Sequence, residues 1–369
     1  MSFAGPALVV VPVRDEAERI ADCLRALAYQ HDAAADGIVL AINNTTDGTA
    51  GIVRALRPSL KVPMQVLEWQ FSPEQVHAGG ARRLGMEHAA FLLGDSGWGD
   101  SGALLTTDAD ARVPPDWIAA NLWHLRRGAD AVAGRAALDP LDAGLIPARL
   151  HADDAVECAY AATLDAIAAC LDPEPWDALP RHCEESGASI AVTLAAYRHA
   201  GGIPAVPLAE DRRFFAALRG VDARIRHAPE IAVEVSGRIV GRAEGGMADT
   251  IRRRLAAPDP YLDSTLEPAG MRARRARLRG QFRRAHAAND DALLLTLARR
   301  LGLPIGTLRD ACADPLCGRA WAALEQSSPA LGMRLVPVRQ VARQQHIADR
   351  ILAALRVEQP RPGVLLPTS

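Results

Sequence analysis

Leu104-Leu105-Thr106-Thr107-Asp108-Ala109-Asp110 is an apolar run that stops at two acids one residue apart, and Arg112-Val113-Pro114-Pro115-Asp116-Trp117 follows it at once. The prolines end any regular element there, so the run reads as a short buried strand. Such a strand delivers Asp108 and Asp110 to its carboxyl end, where open α/β sheets hold their ligands. Residues two apart in an extended chain face the same way, so both carboxylates can lean toward one bound object. Two hard oxygen ligands that leave most of a coordination shell open suit Mg²⁺ or Mn²⁺ carrying a diphosphate. The same spacing also occurs in plain solvated loops, and it is the position after a strand that favours the metal reading.

Outward from this segment the chain alternates. Residues 7–13 are a β-branched run, and 16–29 place Ile20, Leu24 and Leu27 at helical spacing. Residues 37–42, 62–69 and 103–107 read as further strands, and 131–134 as a short one. Residues 49–56, 78–93 and 117–127 read as helices between them. Strand and helix in this order predict an α/β fold whose central sheet is mostly parallel, with right-handed crossovers. The strand tips carry the polar residues: Pro12, Arg14, Asp15 and Glu16 after the first, Asn43, Asn44 and Asp47 after the second, and the two aspartates after the fourth. Loops in this series can divide base, ribose and phosphate among them. Residues 43–48 fit a tight turn with a helix cap equally well.

Taken together, VVVPVRDEAERI (9–20), INNTTDGT (42–49), GGARRLGM (79–86) and LLTTDADARVPPDW (104–117) resemble the successive signatures of family 2 glycosyltransferases with the GT-A fold. SGASIAVTLAAYRHAGGIP (186–204), AEDRRFFAALRG (209–220) and VEVSGRIVGRAEGG (233–246) continue the resemblance after an interruption. It implies a nucleoside-diphosphate sugar donor, a hydroxyl acceptor on a small molecule, glycan or lipid carrier, and a Mg²⁺ or Mn²⁺ cofactor. Pro12, Arg14 and Glu16 match the first nucleotide loop, and Asp47 an acid later in the second. Asn43 and Asn44 stand where many members carry paired aspartates. Gly80, Ala81 and Arg82 match a segment beside the nucleotide that brings a cation to the diphosphate. Asp108 and Asp110 match the metal and ribose motif, with Asp110 the direct metal ligand. Asp211 matches the general base of inverting members, with Glu210 beside it, and Ser236 and Arg238 lie in a closing segment that reaches the diphosphate.

The chemistry of glycosyl transfer suits that set. By analogy with glycoside hydrolysis the sugar passes through an oxocarbenium-like state while negative charge grows on the leaving diphosphate. A divalent cation and a guanidinium stabilise that charge, and a separate carboxylate takes the proton of the acceptor hydroxyl. Acids at 210 and 211 also favour a helix amino terminus with no catalytic role, since a helical stretch begins at about residue 213.

Composition limits the alternatives. The chain has 369 residues, enough for two or three domain-sized units, and a formal net charge of −2, so no global field points to nucleic acid. Its six cysteines form no Cys-x-x-Cys pair and read as reduced thiols of a cytoplasmic protein. The amino terminus lacks an export signal, and no apolar stretch has the length of a membrane span. No Gly-x-Gly-x-x-Gly follows the first strand, which disfavours a dinucleotide oxidoreductase, and the absence of a Gly-rich phosphate loop there disfavours a nucleotidyltransferase. A non-catalytic nucleotide-binding scaffold that kept the fold is the alternative from another class.

The expected organisation is a GT-A-like domain over 1–248 and an Arg-rich helical region over 249–369. The first divides into a nucleotide-binding half (1–135), a helical acceptor-side segment (139–185) carrying Arg181 and His182, and a catalytic-base half (186–248). His182 reads as an ordinary loop histidine as readily as an acceptor contact. In the second region, residues 252–254 and 271–284 concentrate arginine. They predict either a solvated helical face or a surface for an anionic membrane or a partner protein. The Pro-rich ending at 360–369 is expected to fray.

Overall fold

The computed structural model describes residues 5–72, 77–95, 97–239, 241 and 246–358, so the 360–369 ending and part of the 233–246 segment lie outside the described residues. The chain divides into two compact units, 1–147 with 180–257 and 148–179 with 258–369.

The first unit is built on β1 (Ala7–Val13), α1 (Ile20–Ala28), β2 (Gly37–Asn43), α2 (Thr49–Leu56), β3 (Met64–Trp69), α3 (Ala78–Asp95), β4 (Ala103–Thr106), α4 (Trp117–Arg126), β5 (Ala131–Leu138) and the four-residue α5 (Pro140–Ala143). The long α6 (Ala148–Leu171) belongs to the second unit, and the first resumes with β6 (Ile190–Thr193), α7 (Leu194–His199), α8 (Glu210–Gly220), β7 (Ile225–Val235) and α9 (Met247–Ala256). One seven-stranded sheet runs in the order β3-β2-β1-β4-β6-β5-β7. Its early strands are continuous apolar runs because both faces are covered. Val9, Val11 and Val13 join one core with Ile38, Leu40 and Leu105, while Val10 joins the opposite core with Val39 and Leu104. Gly85 lets α3 lie directly on the sheet, since a Cβ there would stand 2.5 Å from Val10 Cγ1.

The α/β class and the mostly parallel sheet are as expected. The exception is β6, which pairs antiparallel with both β4 and β5. Because it runs backward, its first residue Ile190 stands opposite Thr106 at the carboxyl end of β4. Residues 186–189 are thereby brought to the tip that carries Asp108 and Asp110. The expected strand 131–134 is longer, continuing to Leu138 through a register shift between Ala133 and Arg135.

The second unit contains α6, α10 (Ala269–Ala288), α11 (Asp291–Leu301), α12 (Ile305–Ala313), α13 (Cys317–Ser327) and α14 (Val341–Glu358). This division differs from the expected one, in which 139–185 stayed with the sheet. Tyr160, Leu164 and Ile167 of α6 are buried with Ala269, Ala273, Ala348 and Leu352, so this helix finds its apolar partners in α10 and α14. A second core gathers Phe282, Leu297, Leu308 and Trp321.

The arginines of α10 are not simply a solvated face. Arg275 pairs with the buried Glu267 at 3.0 Å and with Glu325 at 2.8 Å, and Arg279 and Arg283 pair with the buried Asp172 and with Glu174. This internal pairing uses part of the basic charge that suggested an anionic surface partner. Among the described residues no helix is long and apolar enough to cross a membrane.

Candidate active site

The loops after β1 and β2 are laced together before any ligand is considered. Asp15 and Asn44 both adopt left-handed backbone, at φ 50° and 45°, which Asp and Asn tolerate better than most residues. Asp15 Oδ1 accepts from the Thr46 amide at 2.7 Å, and Asp47 Oδ2 accepts from the Ala17 amide at 3.1 Å. Thr49 Oγ1 accepts from the Glu16 amide at 2.8 Å while Asp47 Oδ1 accepts from the Thr49 amide at 2.9 Å. The Asn44 amide group spans to the chain after β3, donating to Phe71 O at 3.0 Å and accepting from Phe71 N at 2.9 Å. Asn44 and Asp47 therefore shape the loops after β1 and β2. Asn43 is buried, and among the described residues its Nδ2 has no hydrogen-bond partner. Pro12 is buried within β1, past Val10↔Thr106, the last β1–β4 register pair, where a missing N–H is tolerated. Arg14 is half-buried beside Asp15, its Nε 3.9 Å from Oδ2.

Arg82 is the hub. Only 2 % of its side chain is exposed. Its Nη2 donates to Asp108 Oδ1 at 2.6 Å, its Nη1 to Thr106 Oγ1 at 2.8 Å and to Gly187 O at 2.9 Å, and its Nε to Glu210 Oε1 at 3.2 Å. Burial disfavours this cation, but Asp108 and Glu210 outweigh the penalty and hold its pKa above the ordinary arginine range. Glycine is required at 187, because a Cβ there would run into the guanidinium. With its donors engaged inside the protein, Arg82 organises the site, in place of the expected free cation beside the diphosphate. Gly80 is likewise engaged, its amide donating to His77 Nδ1 at 3.0 Å at the start of α3.

Gly187 links this hub to Asp211, for its amide donates to Asp211 Oδ2 at 2.9 Å while its carbonyl receives Arg82. Asp211 Oδ1 accepts from the Arg212 amide at 2.7 Å. Burial, and then the neighbouring Glu210, raise the Asp211 pKa despite these bonds and Arg82. Each carboxylate oxygen keeps a lone pair, so the group remains able to take a proton. Ala209, just before the acids, is left-handed at φ 53°, a conformation that costs an alanine about 1–3 kcal/mol and is typical of functional sites.

Arg238 lies at the other acid. It grips the buried Glu16 with two bonds, Nη1 to Oε2 at 2.7 Å and Nη2 to Oε1 at 2.6 Å, and its Nη2 is 3.2 Å from Asp110 Oδ2. The Asp110 pKa is pushed up to about 7 by burial and by Asp108, with Arg238 opposing and Glu16 adding to the rise. Among the described residues no group of three or more His, Cys, Asp or Glu side chains is arranged to hold a metal ion. What Asp108 and Asp110 offer is a pair of neighbouring hard oxygen donors, a donor type that fits Mg²⁺ or Mn²⁺.

On the expected acceptor side, His182 uses both ring nitrogens within the protein. Nδ1 accepts from the Glu184 amide at 3.1 Å and Nε2 faces Ala133 O at 3.1 Å, which selects the neutral ring with its proton on Nε2. Burial and the nearby His227 lower its pKa to about 4. Arg181 is half-buried. Glu210 meets Arg82, so it belongs to the hub. Sequence reading passed over Asp142, whose Oδ2 accepts from Arg19 Nη2 at 2.6 Å, Gly237 N at 2.8 Å and Ser236 Oγ at 3.3 Å.

Residues 8–153 match the family model described as Glycosyl transferase family 2. Among solved structures, S. aureus TarS 1–349 in complex with UDP-GlcNAc is similar at 15 % identity and a TM-score of 0.48, over 98 % of this chain and 95 % of that one. The mannosyltransferase PcManGT from Pyrobaculum calidifontis, in complex with GDP-Man and Mn²⁺, is similar at 16 % identity and a TM-score of 0.43, over 96 % and 87 %. Glucosyl-3-phosphoglycerate synthase from Mycobacterium tuberculosis, with Mn²⁺, UDP and phosphoglyceric acid, is similar at 16 % identity and a TM-score of 0.38, over 68 % and 78 %. No curated protein matches the chain. Over residues 8–153, which carry β1 to β5 and the loops after them, the chain is similar to glycosyltransferases of family 2.

Proposed function

We propose that this protein is a metal-dependent, inverting glycosyltransferase that moves a sugar from a nucleoside-diphosphate donor to a hydroxyl acceptor. The observation that carries the reading is the bonded chain from Asp108 through Arg82 and Gly187 to Asp211. It ties an acid suited to the donor side to an acid suited to the acceptor side. The laced loops bearing Asp15, Glu16, Asn43, Asn44 and Asp47 form the nucleotide side. Asp108 and Asp110 would hold Mg²⁺ or Mn²⁺, which supplies charge stabilisation to the departing diphosphate. Arg238, the least buried of the site's guanidinium groups that touch these acids, adds a second positive charge there.

Asp211 accepts the proton of the acceptor hydroxyl. Its raised pKa makes it a stronger base than an exposed aspartate, and its two backbone bonds fix its orientation. A single base opposite the leaving group implies one displacement, hence inversion at the anomeric carbon.

The test is calorimetric titration with UDP, GDP and their common sugar conjugates, with and without Mn²⁺, on the wild type and on Asp108→Ala/Asp110→Ala. Binding that requires both metal and acids supports the donor site and names the nucleotide. In the acceptor screen that follows, Asp211→Asn should bind donor normally and lose turnover about 10²–10⁴-fold. Metal-dependent binding with no turnover toward any acceptor favours the scaffold alternative, and a product of retained configuration overturns inversion.

A further inference from the structure

We propose that Asp142 is a positioning residue for the donor site, acting through Arg238; this rests on the reading of Arg238 as a group that faces the diphosphate. Asp142 lies on α5, which is fixed at its amino-terminal end. Asp139 caps it by accepting from the Leu141 amide at 2.9 Å, and the Asp139 amide donates to Val235 O at 2.8 Å at the end of β7. The carboxylate of Asp142 is thus held beside the point where the chain leaves β7 for Arg238.

One oxygen, Oδ2, then gathers three donors: Arg19 Nη2 at 2.6 Å, the Gly237 amide at 2.8 Å and Ser236 Oγ at 3.3 Å. Ser236 Oγ also accepts from the Arg238 amide at 3.2 Å, so the turn 236–238 is folded around this carboxylate. The close approach depends on glycine, because a Cβ on Gly237 would stand 2.8 Å from Asp142 Cβ. Gly237 is not left-handed, so alanine there meets no backbone penalty and only the approach to Asp142 is disturbed. From that turn the Arg238 fork reaches Glu16 at 2.6 and 2.7 Å and Asp110 at 3.2 Å. Arg19 neutralises Asp142 from the other side, which leaves the net positive charge of Arg238 directed at the acids of the donor site.

In this proposal Asp142 acts only through Arg238 and not on the donor itself. Its effect should therefore vanish when Arg238 is gone. The experiment is a double-mutant cycle on the full chain, read by titration calorimetry with UDP and GDP in saturating Mn²⁺. Asp142→Ala should weaken nucleotide binding roughly tenfold, as expected for loss of charge-assisted bonds that orient a second charge, and Asp142→Asn should fall between. Asp142→Ala/Arg238→Ala should bind no more weakly than Arg238→Ala alone. Gly237→Ala, which keeps every functional group, should reproduce the loss seen for Asp142→Ala, with melting temperatures showing that each variant is folded.

Additive losses in the cycle, or wild-type affinity in folded Asp142→Ala and Gly237→Ala, overturn the proposal. If wild type binds both nucleotides and Arg238→Ala binds equally well, the donor site stands but the positioning role falls. If wild type binds neither nucleotide, the donor-site reading itself fails and this inference falls with it.

Discussion

Replacing Arg82 by methionine should unfold the first unit at a markedly lower temperature, because a cation is removed that leaves its acidic partners behind. Asp108, with 34 % of its side chain exposed, would regain water, so its lost ion pair costs only about 1 kcal/mol. Glu210 is 12 % exposed and has Asp211 next to it, so the stranded carboxylate costs about 2 kcal/mol. The Gly187 carbonyl loses its donor inside the protein, for about 1 kcal/mol, while the Thr106 hydroxyl can turn to another partner at little cost. The expected loss is about 4 kcal/mol, within the range for breaking a buried ion pair from one side. At about 2–4 °C per kcal/mol for a domain of this size, the transition should fall by about 8–16 °C in differential scanning calorimetry. Arg82→Lys should recover less than half of this, since an ammonium cannot span four acceptors in three directions. Arg82→Met/Asp108→Asn/Glu210→Gln should recover much of it, because the stranded charges are gone. A loss below about 1 kcal/mol in Arg82→Met would refute the hub and leave the guanidinium available to a ligand.

The pH response of stability offers a second check through His182. Its pKa is lowered from 6.5 to about 4 in the fold, so as pH falls below about 6.5 the unfolded chain takes up a proton that the native state refuses. The stabilisation is complete above pH 6.5 and is lost between there and pH 4, by at most about 3 kcal/mol. The advantage of wild type over His182→Gln in urea denaturation should shrink across that window, and a constant gap would exclude the neutral ring. In the second unit, Phe282 is fully buried with Trp321 at a centroid distance of 5.9 Å and His286 at 5.8 Å. Phe282→Ala should cost about 3–5 kcal/mol by calorimetry, and a cost under about 1 kcal/mol would show a core that collapses around the hole.

Much of the parallel sheet was legible because its strands are buried on both faces and so appear as unbroken Val, Ile and Leu runs, as in 7–13 and 37–42. The helix α2 was read at 49–56 from a turn followed by periodic apolar positions, and it lies there. β6 was not readable as a strand: four residues carry no period, and their antiparallel direction is a property of the neighbours they join. The boundary at 148 was missed for a similar reason. An amphipathic helix declares that it has an apolar face without declaring which other helix will cover it.

In the site, Asp108, Asp110 and Asp211 stood out by position and resemblance, and the structure joins Asp108 to Asp211 through Arg82 and Gly187. The burial of Arg82 was invisible, since Gly-Ala-Arg-Arg in a helix looks like any solvent face. Its acceptors lie 24, 26, 105 and 128 positions away. Asp15 stood out only as one polar residue at a strand tip, and Asp142 not at all, because each works by binding backbone amides of a distant loop, and no residue type in those loops signals that need.

The split of the helical unit has a consequence for synthesis on the ribosome. α6 is made early, yet the residues buried with Tyr160, Leu164 and Ile167 begin at Leu262, about 100 positions later, and come mostly from α10 and α14. At about 5–20 residues per second, the apolar side of α6 spends roughly 5–20 s without its own partners. During that interval the strands β6 and β7 emerge and the sheet can close around the excursion. The nascent chain therefore carries an exposed, chaperone-attracting helix tethered to a nearly finished α/β domain. Chains terminated after residue 257 would keep that hazard permanently, so their aggregation should be governed by α6, and polar substitutions on its apolar side should relieve it.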